Sequence, residues 1–357
     1  MKRLFLRLLA VFIICTCLIS ITALLPQAAN DPGLPVLQGE IKARLPELFD
    51  AQGPKTEKLL VGGNTFGVRL FTEGVQVVGV SSDPCPAKQA GIQKRDCILS
   101  INETPTQTVE DVVRAIEGSN GSALTLTVRR GEQDLTITLT PTKDSHGKYK
   151  AGLWVRDNAA GIGTITFVDP QSGAFGGLGH GICDSDTGAL IPLSRGAVME
   201  AEISGVVPGE QGTPGELKGY LCSKKIGTLL KNCEMGVFGI LSPIPEGLDS
   251  TIEVGTRDTI HEGKATLRCT LDDGVVREYA IEIGDISKGN TGTKCFAVHV
   301  TDPTLIQKTG GIVQGMSGSP ILQDGRLVGA VTHVLVGDPT RGYGIFVENM
   351  LSQIKLS

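Results

Sequence analysis

Apolar positions change their spacing several times along the chain. The first regime is one unbroken run: after Lys2, Arg3 and Arg7, the eighteen residues Leu8 to Leu25 carry no charge. A helix rising about 1.5 Å per residue would span about 27 Å with such a run, close to the thickness of a hydrocarbon core. The basic flank keeps the N-terminus in the cytoplasm and sends the rest outward. A cleaved secretory signal is the alternative, with Gln27-Ala28-Ala29 the nearest approach to a small-residue cleavage site. On either reading, residues beyond about 30 lie outside the cytoplasm. Residues 31–57 are polar and Pro-containing, with one helix-like stretch at Ile41 to Phe49, and read as a linker.

From Leu59 the pattern becomes compact. Phe66-Gly67-Val68-Arg69-Leu70 alternates like a strand entered through Gly62-Gly63, and Val75 to Val80 reads as a second strand. Ala87 to Gly91 reads as a short helix closed by glycine. A strand at Asp96 to Asn102 precedes Thr108 to Gly118, where Val109, Val112, Val113 and Ile116 recur at helical spacing. Leu124 to Arg129 and Leu135 to Thr140 alternate again. Beyond the polar stretch Thr142 to Lys150, short alternating runs dominate: Val198 to Val206, Gly236 to Ile240, Lys264 to Thr270, Val275 to Ile283, Cys295 to Val300 and Arg326 to Val334. Helical patterns are few until the last ten residues, so this half is expected to be a β-barrel or sandwich; its roughly 200 residues suit two small barrels. The expected protein is mainly β with a small α/β module. Its divisions are an anchor or signal at 1–30, a linker at 31–57, the α/β module at 58–142 and the β domain at 150–357.

Composition narrows the functions available. Lys and Arg number 33 against 38 Asp and Glu, a net charge of −5, with no basic excess to neutralise phosphates. Nucleic acid is therefore not an expected partner. The 47 glycines, against ten Phe, four Tyr and one Trp, fit short strands joined by tight turns. Of nine cysteines, Cys15 and Cys17 lie in the apolar run; the remaining seven are an odd number, so at least one thiol stays free. A Cys222–Cys233 disulfide is open on spacing, but small buried residues are the simpler role. With no C-x-x-C and no H-E-x-x-H, neither a metal nor another cofactor is expected.

Two strings in the β half carry chemistry. Gly310-Gly311-Ile312-Val313-Gln314-Gly315-Met316-Ser317-Gly318-Ser319-Pro320 places glycines on both sides of a serine and is followed by a strand. Such a backbone can turn sharply, aim several N–H groups at one point and leave the hydroxyl approachable. The string resembles the nucleophile loop of chymotrypsin-like serine peptidases, which makes Ser317 the nucleophile and the N–H groups of Gly315 and Ser317 the oxyanion hole. Gly176-Gly177-Leu178-Gly179-His180-Gly181 supplies a glycine-flanked histidine upstream, the base that a serine hydroxyl needs. His333, sixteen residues after Ser317, is the rival base. Asp302 is one candidate to orient the imidazole; Asp184, Asp186, Asp249, Asp258, Asp272 and Asp273 are others, and spacing does not choose among them.

The α/β module resembles a PDZ domain of bacterial proteases, chiefly through Pro86-Ala87-x-x-Ala90-Gly91-Ile92-x-x-x-Asp96-x-Ile98-Leu99. Arg95 stands where most such sequences have glycine. That resemblance implies peptide binding by strand addition, with a carboxylate loop at Phe66-Gly67-Val68. Taken whole, the apolar N-terminus, the PDZ segment, Gly152-Leu153-Trp154-Val155-Arg156-Asp157-Asn158-Ala159-Ala160-Gly161-Ile162-Gly163-Thr164 and the two glycine-rich strings resemble the stage IV sporulation protein B serine peptidases. The resemblance covers essentially the full chain. It implies a chymotrypsin-like double β-barrel and a triad of His180, Asp302 and Ser317. It also implies self-cleavage, and cleavage of a membrane-bound regulator so that an intramembrane metalloprotease activates the mother-cell sigma factor. The expected place is the inner forespore membrane, facing the intermembrane space, or that space after release. A non-catalytic PDZ adaptor with a protease-like binding domain is the competing reading.

Overall fold

The computed structural model describes residues 58–354 except 83, 84 and 249. The apolar run, the linker and Asp249 lie outside the described residues, and among those described no helix is long and apolar enough to cross a membrane. Strand β1 is Lys58–Val61 and β2 is Thr65–Val80. A small module follows: α1 (Pro86–Gln89), β3 (Cys97–Ile101), β4 (Thr104–Pro105), α2 (Val109–Gly118), β5 (Leu124–Arg130), β6 (Gln133–Leu139), β7 (Thr142–Lys143) and β8 (Tyr149–Lys150). Then come β9 (Leu153–Val168), β10 (Ala174–Gly177), β11 (Leu193–Val207), β12 (Glu216–Cys233) and β13 (Gly236–Leu241). The last third holds β14 (Thr251–Val254), β15 (Gly263–Thr270), β16 (Val276–Gly284), β17 (Phe296–Val300) and α3 (Pro303–Thr309). It ends with β18 (Pro320–Gln323), β19 (Arg326–Leu335), β20 (Asp338–Phe346) and α4 (Val347–Leu351).

Pairing closes these strands into two rings. In the first, β2 pairs β9, β9 pairs β10, β10 pairs β13, β13 pairs β12, β12 pairs β11, and β11 returns to β2. In the second, β15, β16, β17, β20, β19 and β18 close in the same way. A ladder of β1 with β14 stitches them together, since β1 also pairs β9 and β14 also pairs β19. Within the two rings closure gives each strand a partner on both sides, and the inward faces fill with apolar side chains. Phe66, Val68, Leu70, Ile165, Phe175, Val198 and Val237 form the first core, where Phe66 meets Phe175 edge-on at 5.7 Å.

The small module has its own core, including Val75, Val77, Ile98, Val112, Ile116, Leu126 and Leu139. Thr108 caps α2 in a reciprocal box with Asp111, which satisfies two of the helix's otherwise unpaired N–H groups. Asp96, fully buried, is held by Arg130 through two contacts of 2.7 Å. Arg95 has φ 79, in the region that favours glycine, which accounts for the glycine usual at that position.

The module does not precede the barrels; it is inserted into the first one. Strands β2 and β9 run together from Thr65↔Thr164 inside the barrel out to Val80↔Leu153 inside the module. Between them the register breaks: Thr72 to Val75 of β2 stand against Asp157 alone. At this bulge Thr72 Oγ1 donates to Gly74 O at 2.6 Å and Asp157 O at 3.1 Å, and Gly74 has φ 74. An extra loop of this kind bends a ribbon, and here it marks the true boundary. The expected divisions at 58–142 and 150–357 are corrected accordingly: residues 58–71 belong to the barrel.

Phe66-Gly67-Val68 is corrected with them. Gly67 pairs Ile162 on one side and Met199 on the other, so its backbone is used in ladders on both edges. Phe66 and Val68 point into the barrel core, Phe66 with no exposure at all. A carboxylate loop needs free N–H groups, and this segment has none to offer.

Candidate active site

A cleft of about 960 Å³ opens between the two barrels. The first barrel contributes Val68, Ile162 and His180; the second contributes Gly315, Ser317 and His333. The structure thus brings together the serine and both histidines singled out in the sequence.

His180 follows a strained turn. Gly179 N–H donates to Gly177 O at 2.8 Å, and Leu178 between them has φ 66, unusual for a branched residue. The turn swings His180 out of β10 and toward the cleft. Its Nδ1 lies 3.0 Å from Gly181 O. A carbonyl only accepts, so the neutral ring carries its proton on Nδ1 and leaves the Nε2 lone pair free. Burial pushes the His180 pKa below the usual 6.5, against a smaller opposing effect from the Gly181 carbonyl. The His333 ring lies 5.3 Å away, tilted by 40°. Burial first, then the nearby His180 and Lys294, bring the His333 pKa down to about 4. Its Nδ1 is buried without a hydrogen-bond partner among the described residues.

The Ser317 loop is shaped by α3. The C-cap of that helix, Gly310, has φ 73, and the chain then doubles back through Gly315 at φ 97 and Gly318 at φ 90. A Cβ on Gly318 would collide with Thr164 O and Leu178 N, so only glycine fits. Ser317 Oγ donates to Thr332 O at 3.1 Å; Thr332 lies where the β19–β20 register slips. No hydrogen bond from the N–H of Gly315 or of Ser317 is made within the loop or to its neighbours among the described residues, while Gly318 N–H is taken by Val331 O and Ser319 N–H by Met316 O.

Asp302 is not part of this constellation. It is the N-cap of α3: Oδ1 accepts from Thr304 N–H at 2.9 Å and Leu305 N–H at 3.0 Å, and Oδ2 accepts from Ala280 N–H at 3.3 Å. It does not line the cleft. The expected triad is therefore corrected: the carboxylate is committed to backbone donors, and the Nδ1 of His180 meets a carbonyl. Asp184 and Asp186 are committed as well, to Arg156 at 2.7 and 3.0 Å. Burial works against the Asp184 carboxylate, yet the Thr187 and Asp186 N–H groups and Arg156 hold it below the usual range. Arg95 donates to Thr187 O at 2.6 Å and Lys94 to Asp186 O, so the inserted module clasps the loop after His180.

A second groove, of about 560 Å³, lies within that module between α2 and the start of β9. Val112, Val113, Ile116, Leu153, Trp154 and Val155 line it, with Val113 42% and Trp154 66% exposed. Here β9 pairs β2 along one edge only, and Gly152 just before it has φ 75. The string Gly152-Leu153-Trp154, ahead of an alternating strand, is the sequence signal that points to this groove. Cys222 and Cys233 are both free, as are the other five cysteines among the described residues.

Two six-stranded barrels facing across a cleft with a serine and a histidine, and a PDZ domain set into the first, define a peptidase architecture. The chain belongs to the SpoIVB peptidase S55 family of serine peptidases, whose model matches residues 147–351; a PDZ domain model matches 78–130. Among curated proteins it is 30% identical over 96 residues to a putative zinc metalloprotease of Treponema pallidum, covering 26% of this chain and 21% of that one. It is 39% identical over 70 residues to serine protease HTRA1 of Xenopus tropicalis, covering 20% and 15%. The chain thus spans about a fifth or less of the length of these relatives. Among solved structures it is similar to the active form of the Rv3671c protease of M. tuberculosis, with TM-score 0.31 and 14% identity over 56% of this chain and 76% of that one.

Proposed function

We propose that the chain is a serine endopeptidase in which Ser317 is the nucleophile and His180 the general base. The Gly181 carbonyl sets the imidazole tautomer, and the N–H groups of Gly315 and Ser317 receive the oxyanion. The observation that carries this reading is the meeting of Ser317 and His180 in one cleft beside two N–H groups with no partner in their own loop. In the structure the Ser317 hydroxyl is parked on Thr332 O; catalysis requires it to turn to His180 Nε2. His180 then takes its proton as Oγ bonds to the scissile carbonyl carbon, and gives that proton to the leaving amine as the C–N bond breaks. Water repeats the sequence to release the acyl group.

With a backbone carbonyl in the orienting place, Asp302→Asn should keep turnover within about threefold, because Asn caps a helix about as well as Asp. An orienting triad carboxylate would instead cost about 10⁴ on the same change. Steady-state kinetics on the folded variant separates these outcomes.

As biological setting, we propose endospore formation. The enzyme cleaves itself and a membrane-bound regulator, the partner of an intramembrane metalloprotease, in the space between the forespore membranes. The reading is supported by family membership and by the groove between α2 and β9, which fits a peptide end added as a strand. Such a groove raises the effective concentration of a tethered target. Val113→Arg fills the groove from an exposed position. It should leave turnover of a short unanchored peptide unchanged and slow cleavage of the membrane-bound regulator by at least about tenfold. Equal rates on both substrates would remove the groove from target selection.

A further inference from the structure

The Gly152 to Thr164 segment starts at the groove in the inserted module and ends at the cleft as part of β9. Its last residue, Thr164, is fully buried and touches both catalytic loops. Its Oγ1 donates to Gly315 O at 2.9 Å, and its N–H donates to Ser317 O at 3.0 Å. Its own carbonyl accepts from Leu178 N–H, in the turn that presents His180, at 3.3 Å. Two residues on, Thr166 Oγ1 donates to Gly318 O at 2.7 Å. The carbonyls at 315 and 317 are thus pinned on either side of the Met316 peptide.

We propose that Thr164 is a positioning residue for the reaction, whose hydroxyl fixes the Gly315 carbonyl and thereby the direction of the oxyanion donors. The proposal rests on the reading of Ser317 as nucleophile. Peptide N–H and C=O groups turn together, so a carbonyl held at one residue limits rotation of the neighbouring peptide planes. Gly315, at φ 97 and without a side chain, has its preceding peptide held by Leu217 N–H on Gln314 O at 2.8 Å and its following one by Met316 N–H on Val313 O at 3.1 Å. The Thr164 hydroxyl is the side-chain contact on the Gly315 carbonyl itself. Donors preorganised at the oxyanion act strongly, and misplacing them costs rate rather than affinity. Without the hydroxyl, the Gly315 carbonyl loses its partner, and the loop gains freedom where the developing charge needs fixed donors.

The test compares Thr164→Val, which keeps the shape and loses the hydroxyl, with Thr164→Ser, which keeps the hydroxyl. Each preparation is normalised by active-site titration and assayed on a short peptide. Thr164→Val should lose about 10–100-fold in kcat with KM within twofold, and Thr164→Ser should recover most of the rate. The rate of phosphonylation by a fluorophosphonate should fall in step, while the acid limb of the pH profile stays in place. If Thr164→Val does not fold, Thr164→Ala against Thr164→Ser isolates the hydroxyl at equal carbon count, and the same loss is expected for alanine. A kcat within threefold of wild type for the hydroxyl-free variant, with Ser317→Ala inactive, overturns the proposal and leaves the nucleophile standing. Activity retained by Ser317→Ala would instead overturn the nucleophile itself.

Discussion

Ser317→Ala abolishes cleavage, with a loss on the order of 10⁶ in kcat, whereas Ser319→Ala stays within a few-fold of wild type. The two serines are two positions apart and differ in every respect that matters. Ser317 lines the cleft, and its hydroxyl hangs on a strand carbonyl from which it can turn. Ser319 has no exposure, and its Oγ finds no hydrogen-bond partner among the described residues. Removing a buried hydroxyl that bonds to nothing costs little and can stabilise. On the proposed reading Ser317 also carries one oxyanion donor on its own backbone, with Gly315 two residues before it to carry the other. Parallel kinetics on the two alanine variants checks this; equal loss would mean that the loop acts in another register.

His180→Ala is expected to be nearly as damaging, by about 10⁴–10⁶, since on the proposed reading its Nε2 takes the serine proton. His333→Ala should keep activity within about tenfold. Both rings are neutral at pH 7, but only His180 has its proton fixed on Nδ1 by a carbonyl. A base must be unprotonated to act, so the rate is full above its pKa and falls as pH drops through it. Burial lowers that pKa, which places the acid midpoint of kcat/KM below the ordinary 6.5. A midpoint at or above 6.5, or an essential His333 with a dispensable His180, would reverse the assignment.

Local pattern reached the strands but not their partners. Lys264 to Thr270 and Val275 to Ile283 alternate and were legible as two strands; the structure adds that they pair residue for residue as the hairpin β15–β16. The insertion left no comparable trace. Phe71 pairs Asn158, with the whole PDZ domain lying between them in sequence, and no local periodicity reports a pairing so distant. Strand β2 therefore read as two short strands of one module, although its halves serve different cores. Phe66-Gly67-Val68 matched a loop pattern by composition while its burial made it a barrel stave. For Asp302 the better signal was present in the sequence: Asp followed by Pro303 is how a helix opens, with a cap and then a residue that needs no N–H partner. His180 and Ser317 were legible because glycines on both sides leave a side chain little to do in a core. Thr164 was not, because nothing local marks a buried threonine whose partners lie about 150 residues away.

Covalent labelling tests the central claim most directly. The folded full-length chain is treated with a fluorophosphonate and the modified peptide is mapped by mass spectrometry, with Ser317→Ala and His180→Ala alongside. The account predicts phosphonylation at Ser317, none in Ser317→Ala, and a greatly slowed reaction in His180→Ala. A folded wild-type chain that takes up no label, or that carries it on another serine at the same rate in Ser317→Ala, would contradict it.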